Sequence, residues 1–226
     1  MSENQDDRLK EEGLAFFGAI TASVTHELNN VTAVINELTG LLDDILYGAG
    51  QGMPIDAEKL RSLQERLSKQ VDRGRTIIKR LNKYAHTTDK AVVEYDLKAV
   101  LGNLTDICRR FADMKKVRLE GRFPPDPVNV SGNPFAMQHA VYLCIRYALE
   151  NAAVDNVIGV NASRDESGIR VEITGPGIDG TKIEDKQLAL LRTLLEAQEG
   201  ELDFVRDSGG SQSIVLGFPD ILTKQV

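Results

Sequence analysis

The sequence predicts an α+β protein, a long helical hairpin followed by an α/β sandwich. Three observations predict it. Apolar residues in the first third recur at alternating steps of three and four, the spacing of a bundle helix. Short strand-like segments then interleave with helical ones over the remainder. The composition, 42% hydrophobic and 27% charged over 226 residues, is that of a globular chain.

From Leu14 to Tyr47 the periodic positions are Val24, Leu28, Val31, Ile35, Leu38, Leu42 and Ile45. Gly48, Gly50, Gly52 and Pro54 interrupt the pattern, and Asp56 is placed to cap a second helix. There the stripe is Leu60, Leu63, Leu67, Val71, Ile78 and Leu81, up to about Tyr84. Two helices cannot bury both stripes against each other alone, so the expectation is a homodimer forming a four-helix bundle.

Beyond a boundary near residues 87 to 91 the pattern changes. "AVVEYD" reads as a strand, "LKAVLGNLTDICRRFADMKK" as a helix, and "VRLEGRF" and "VNVSGN" as strands. "PFAMQHAVYLCIRYALENAA" is a helix with Pro134 in its first turn. "VIGVNASRDESGIRVEITG" is a hairpin turning at Asp165 to Gly168. The helix "KQLALLRTLLEAQEG" ends at Gly200, and two last strands, "ELDFVRD" and "QSIVLGFP", flank a Gly209-Gly210 turn. The expected domains are a hairpin over 1–88 and a sandwich over 92–226, with helices on one sheet face.

Charge and cysteine content exclude several functions. A net charge of −7 and a pI near 5.1 argue against nucleic acid, whose binding needs clustered cations. No run of about 18 apolar residues spans a bilayer, and Met1 to Lys10 is too acidic for a signal peptide, so a cytoplasmic location is expected. Cys108 and Cys144 lie in helical segments without metal-ligand spacing and read as reduced core thiols.

One histidine stands out. In "SVTHELNNVTAVI", His26 is two residues from both Val24 and Leu28, which on a helix turns it away from the apolar seam. Asn30 follows one turn later and Glu27 lies on the flank. This polar cluster is either a solvated helix face or a reactive one. A neutral imidazole can attack phosphorus, with an adjacent carboxylate holding its tautomer. His86 and His139 are poorer acceptors, and no acid follows His139.

"SVTHELNNVTAVI" resembles the phosphoacceptor box of dimeric two-component histidine kinases, and "DRGRTIIKRLNKYA" fits their second helix. The resemblance implies that His26 accepts a phosphoryl group, that Glu27 manages the proton and tautomer, and that Asn30 holds a position linked to phosphatase action. Val31 stands where the family commonly has proline. Folding the hairpin at Gly50 to Gly52 brings His26 roughly level with residues 75 to 79. Arg75 and Lys79 are therefore candidate cations for the transferred group, or else solvated charges or dimer salt bridges. Ala19, Ala22 and Ser23 are small enough to let a partner approach.

Residues 92 to 226 resemble the ATP-binding domain of the same family, with departures. Two asparagines of its central helix are matched by Leu143 and Tyr147, and Leu143 offers no oxygen for magnesium. In "VEITGPGID" the glycines persist as Gly175 and Gly177, but Ile173 stands where a carboxylate recognises adenine. Only "DGTKIED" remains of the lid and phosphate loop, and "DSGGSQS" reads as a turn. A hairpin kept with nucleotide machinery eroded resembles the bacterial dimeric histidine phosphotransferases. That resemblance implies phosphoryl relay between receiver-domain aspartates of response regulators, no cofactor of its own, and Mg²⁺ on the partner receiver. A sensor-less ATP-dependent kinase, or a silent pseudokinase scaffold binding a kinase or receiver, are the alternatives.

Overall fold

A computed structural model of the chain describes residues 3–165, 168–206 and 212–219. Its contacts divide the chain into two compact units, one of Thr21–Asn82 and one of Met1–Ile20 with Lys83–Val226.

The first unit is the helical hairpin. Helix α1 runs Glu3–Gly50 and α2 runs Ala57–Ala85, so α1 begins a good ten residues before its periodic apolar stripe. Gly52 ends α1 in the left-handed region (φ 85°). There the Met53 amide donates to the Gly48 carbonyl (3.1 Å) and the Gly52 amide to Ala49 (3.0 Å), the paired bonds that close a helix at a glycine. Asp56 caps α2 as expected, its carboxylate accepting from the amides of Glu58 (2.9 Å) and Lys59 (3.2 Å). Val24, Val31, Leu38, Leu63 and Ile77 are buried. Ile78, expected on the seam, is instead 48% exposed, as Val71 is at 45%. A Cβ on Gly74 would lie in ordinary contact with Val31 Cγ1 at 3.5 Å, which puts position 74, with the buried Leu63 and Ile77, on the side of α2 that meets α1.

The second unit carries β1 (Val93–Asp96), α3 (Leu97–Met114), β2 (Arg118–Arg122), β3 (Asn129–Gly132), α4 (Pro134–Asn151), β4 (Val157–Asp165), β5 (Gly168–Thr174), α5 (Asp185–Glu196), β6 (Glu201–Arg206) and β7 (Gln212–Phe218). Five strands form one sheet in the order β2-β4-β5-β7-β6, with β2 parallel to β4 and the other pairs antiparallel. β1 and β3 pair separately. Alternation puts Ile158, Val160, Val171, Ile173, Ile214 and Leu216 on one face, all buried. α4 packs on that face and against α3 and α5. Asp96 and Asn133 cap α3 and α4, and Pro134 occupies the first turn of α4. The expected Gly209-Gly210 turn and residues 166 and 167 of the Asp165–Gly168 turn lie outside the described residues.

The first turns of α1 belong to this unit because of one aromatic cluster. Phe16 is buried at 2% exposure, with its ring centroid 4.8 Å from His139 and nearly parallel to it at 3°. It also meets Tyr142 (4.8 Å), Phe135 (5.4 Å) and Tyr84 (5.5 Å). A purely polar reading of the first dozen residues does not anticipate this anchor. Both cysteines are buried free thiols, pushed up in pKa by burial.

Candidate functional site

α1 presents His26 and Asn30 to solvent on one side of the hairpin, with Glu27 half-buried beside them. The His26 imidazole and the Glu27 carboxylate share no hydrogen bond among the described residues. Val31 packs against Gly74, so five residues back along α1 and five forward along α2, at about 1.5 Å rise each, put His26 level with Lys79. Arg75 lies a turn lower and sits 3.8 Å from Asp72, with both side chains 75% exposed. Of the small residues, Ala22 is exposed and Ala19 is half-buried in the other unit. Ser23 is 5% exposed, and its hydroxyl has no partner. It packs into the hairpin rather than onto its surface.

His86 is exposed and its Nδ1 lies 2.9 Å from Asp89. His139 is 2% exposed inside the aromatic cluster, and burial, with the Arg146 charge second, lowers its imidazole to about 4. It packs as a neutral ring.

The second unit places in its core the three positions that the resemblance matches to nucleotide contacts. Leu143 is 8%, Tyr147 6% and Ile173 0% exposed. Ile173 points into the sheet–helix layer, and the Tyr147 hydroxyl donates to the Asp179 carbonyl (2.7 Å), tying α4 to the segment after the Gly-Pro-Gly turn. That segment is a single turn, Gly180–Lys182, capped by Asp179, with the Gly180 amide donating to Gln212 (2.9 Å). Hydrogen bonds from Thr181, then Lys182, hold the Asp179 carboxyl below its usual range. A Cβ on Gly180 would come within 2.6 Å of the Phe204 ring. Packing also accounts for both glycines of the Gly-Pro-Gly turn. A Cβ on Gly175 would meet Ile158 Cδ1 at 2.3 Å, and one on Gly177 (φ 85°) would meet the Asn151 carbonyl oxygen at 2.3 Å. A magnesium nucleotide held by an amide oxygen at 143 or 147 and a carboxylate at 173 does not fit these side chains. Among the described residues no group of three His, Cys, Asp or Glu is placed to hold a metal.

Sequence reasoning passed over Asn151. It is an exposed amide four residues past Tyr147, against the Gly177 turn, with Nδ2 donating to the Tyr147 carbonyl (2.9 Å). The i, i+4 spacing beside a glycine turn is the signal that would have found it.

No model of a known protein family matches the chain. The C4-dicarboxylate transport sensor protein DctB of Rhizobium meliloti (strain 1021) is 29% identical over 180 residues, 77% of this chain. The chain spans 28% of that protein's length. Among solved structures, a nucleotide-free catalytic domain of histidine kinase ThkA matches with a TM-score of 0.51 at 10% identity, covering 58% of this chain and 98% of that one. An isopropanol form of the same domain gives 0.52 at 10% identity, with 58% and 97% covered. The α/β unit therefore has the fold of histidine-kinase catalytic domains, and a helical region precedes it. Among the described residues no helix is long and apolar enough to cross a membrane.

Proposed function

We propose that the chain is a histidine phosphotransferase of two-component signalling, relaying a phosphoryl group between receiver-domain aspartates through His26. The observation that carries this reading is the side-chain set at the nucleotide positions: Leu143, Tyr147 and Ile173 are core residues here. His26 meanwhile stands exposed on a helical hairpin. The kinase-like fold and the sensor-protein relative support two-component signalling in general.

In this reading the neutral His26 imidazole attacks phosphorus. An N–P bond forms as the acyl phosphate's P–O bond breaks, and the partner's aspartate leaves as carboxylate. Glu27 takes the proton from the other ring nitrogen, and Lys79 and Arg75 offset charge on the transferring group. Asn30 orients water for the competing hydrolysis. The chemistry needs no cofactor in this chain, since the receiver contributes the Mg²⁺ and the acyl phosphate drives transfer. Leu41, Val71 and Ile78, each 39% exposed or more, favour a second copy completing a four-helix bundle. A histidine kinase is a further upstream partner.

A second reading, an ATP-dependent kinase, is favoured by Asn151 at the Gly-Pro-Gly turn. A third, a silent scaffold for a kinase or receiver, keeps the bundle and drops the chemistry. One experiment separates them. Wild type and His26→Ala are incubated with radiolabelled ATP and Mg²⁺, and in parallel with phosphorylated receiver domains. Label on His26 from a receiver alone is the expected result. Label from ATP would establish the kinase, and label from neither source would leave the scaffold.

A further inference from the structure

α3 stops at Met114, and Lys116 then takes the left-handed conformation (φ 54°) and turns the chain into β2. Between that end and the second half of α4 lies a cavity of about 130 Å³, walled by Phe111, Met114, Tyr142, Ile145 and Leu149. An apolar cavity of about 150 Å³ holds a benzene molecule, so this one suits a single ring or a short branched chain. Met114 is 67% exposed, which leaves the space open to solvent on its side. Tyr142 has rings against it, Phe16 at 4.8 Å and Phe111 at 6.0 Å between centroids, so its wall is preformed.

Three polar side chains complete the lining, Lys115, Arg146 and Glu150. Arg146 Nε is buried and has no hydrogen-bond partner among the described residues. Glu150 approaches it only to 3.8 Å, with a side chain 48% exposed. A buried donor without an acceptor costs free energy that an anionic oxygen would recover. Two cations against one carboxylate also leave the lining positive, and the adjoining sequence adds to this. Residues 109–118 hold Arg109, Arg110, Lys115, Lys116 and Arg118 against Asp113 alone, a local +4 on a chain of net −7. Asp106 offsets one of these charges by pairing with Arg109 at 3.1 Å, and the balance stays positive.

We propose that this cavity binds a small organic monoanion, a carboxylate carried on one ring or a short branched chain. The apolar body leaves water for the walls, and the carboxylate accepts from Arg146 with Lys115 beside it. A neutral ligand of the same shape leaves Arg146 Nε unpartnered, and a cationic one is repelled. The cavity shares no residue with the Thr21–Asn82 unit that carries His26, so this site and the relay stand or fall separately.

The test uses three probes with one ring and different charge: benzoate, benzyl alcohol and benzylamine. Each is titrated into the full-length ¹⁵N-labelled protein at pH 7 and constant ionic strength, and amide shifts are followed. Benzoate should saturate, with shifts concentrated in residues 111–116 and 142–151. A hydrogen bond to a charged group separates it from benzyl alcohol by about tenfold in affinity, and benzylamine should bind more weakly still. Arg146→Met keeps the apolar stem and should bring benzoate down to the affinity of benzyl alcohol. Lys115→Gln alters an exposed side chain that the fold does not need, and should weaken benzoate about two- to threefold. Equal affinity for the three probes would overturn the proposal and leave an apolar socket of the kind a partner's side chain fills. So would shifts scattered over the surface, no saturation by about 20 mM, or benzoate binding that neither substitution changes.

Discussion

Acidification should loosen the second unit through His139. Its imidazole is 2% exposed, stacked 4.8 Å from Phe16, and its pKa is lowered by burial to about 4 from an ordinary 6.5. As pH falls the unfolded chain takes up this proton first, so the contribution is fully present above about 6.5 and lost between 6.5 and 4. Integrating the two titrations gives about 2 kcal/mol lost between pH 7.5 and pH 5, and about 3 kcal/mol by pH 4. The assay is urea unfolding by far-UV circular dichroism at pH 7.5 and 5.0, with His139→Phe as reference. That variant keeps an aromatic ring against Phe16 and has nothing to protonate. Carboxylates titrate alike in both proteins and cancel in the difference. Wild type should lose about 2 kcal/mol more than His139→Phe over this interval, and a difference below about 0.5 kcal/mol would refute the neutral, stacked imidazole.

Two further outcomes follow from the Gly-Pro-Gly turn and the segment after it. Tyr147→Phe removes the 2.7 Å bond to the Asp179 carbonyl at constant shape, which should cost about 1 kcal/mol and speed amide exchange across residues 179 to 182. Gly177→Ala places a methyl 2.3 Å from the Asn151 carbonyl oxygen at a φ of 85°, so the unfolding free energy should fall by about 2 kcal/mol or more and the midpoint with it. An unchanged midpoint would show that this turn relaxes freely.

Helix and strand positions were legible because they depend on residues a few places apart. The three-and-four spacing gives the hairpin, the glycines after Tyr47 and Asp56 punctuate it, and alternation in "IRVEIT" decides which side of β5 enters the core. The same local rule turns His26 out to water, since two positions from Val24 and Leu28 is far from their face. That Leu143 cannot ligate magnesium, and that Ile173 cannot accept a hydrogen bond from an adenine amino group, follows from their chemistry alone.

What the chain could not state locally is which distant surfaces meet. The polar start of α1 gives no local sign that Phe16 fits among Tyr84, Phe135, His139 and Tyr142, because that pocket is assembled from residues more than sixty positions away. Ile77 is buried and Ile78 exposed because Ile77 shares the face of α2 on which Gly74 meets Val31, a choice between neighbours that periodicity leaves open. The Tyr147 bond to Asp179 joins residues 32 apart, and Ser23 is buried by the packing of the hairpin itself. Local spacing determined the elements and the exposed histidine. Tertiary packing decided their partners, since burial depends on the space that remote side chains leave between them.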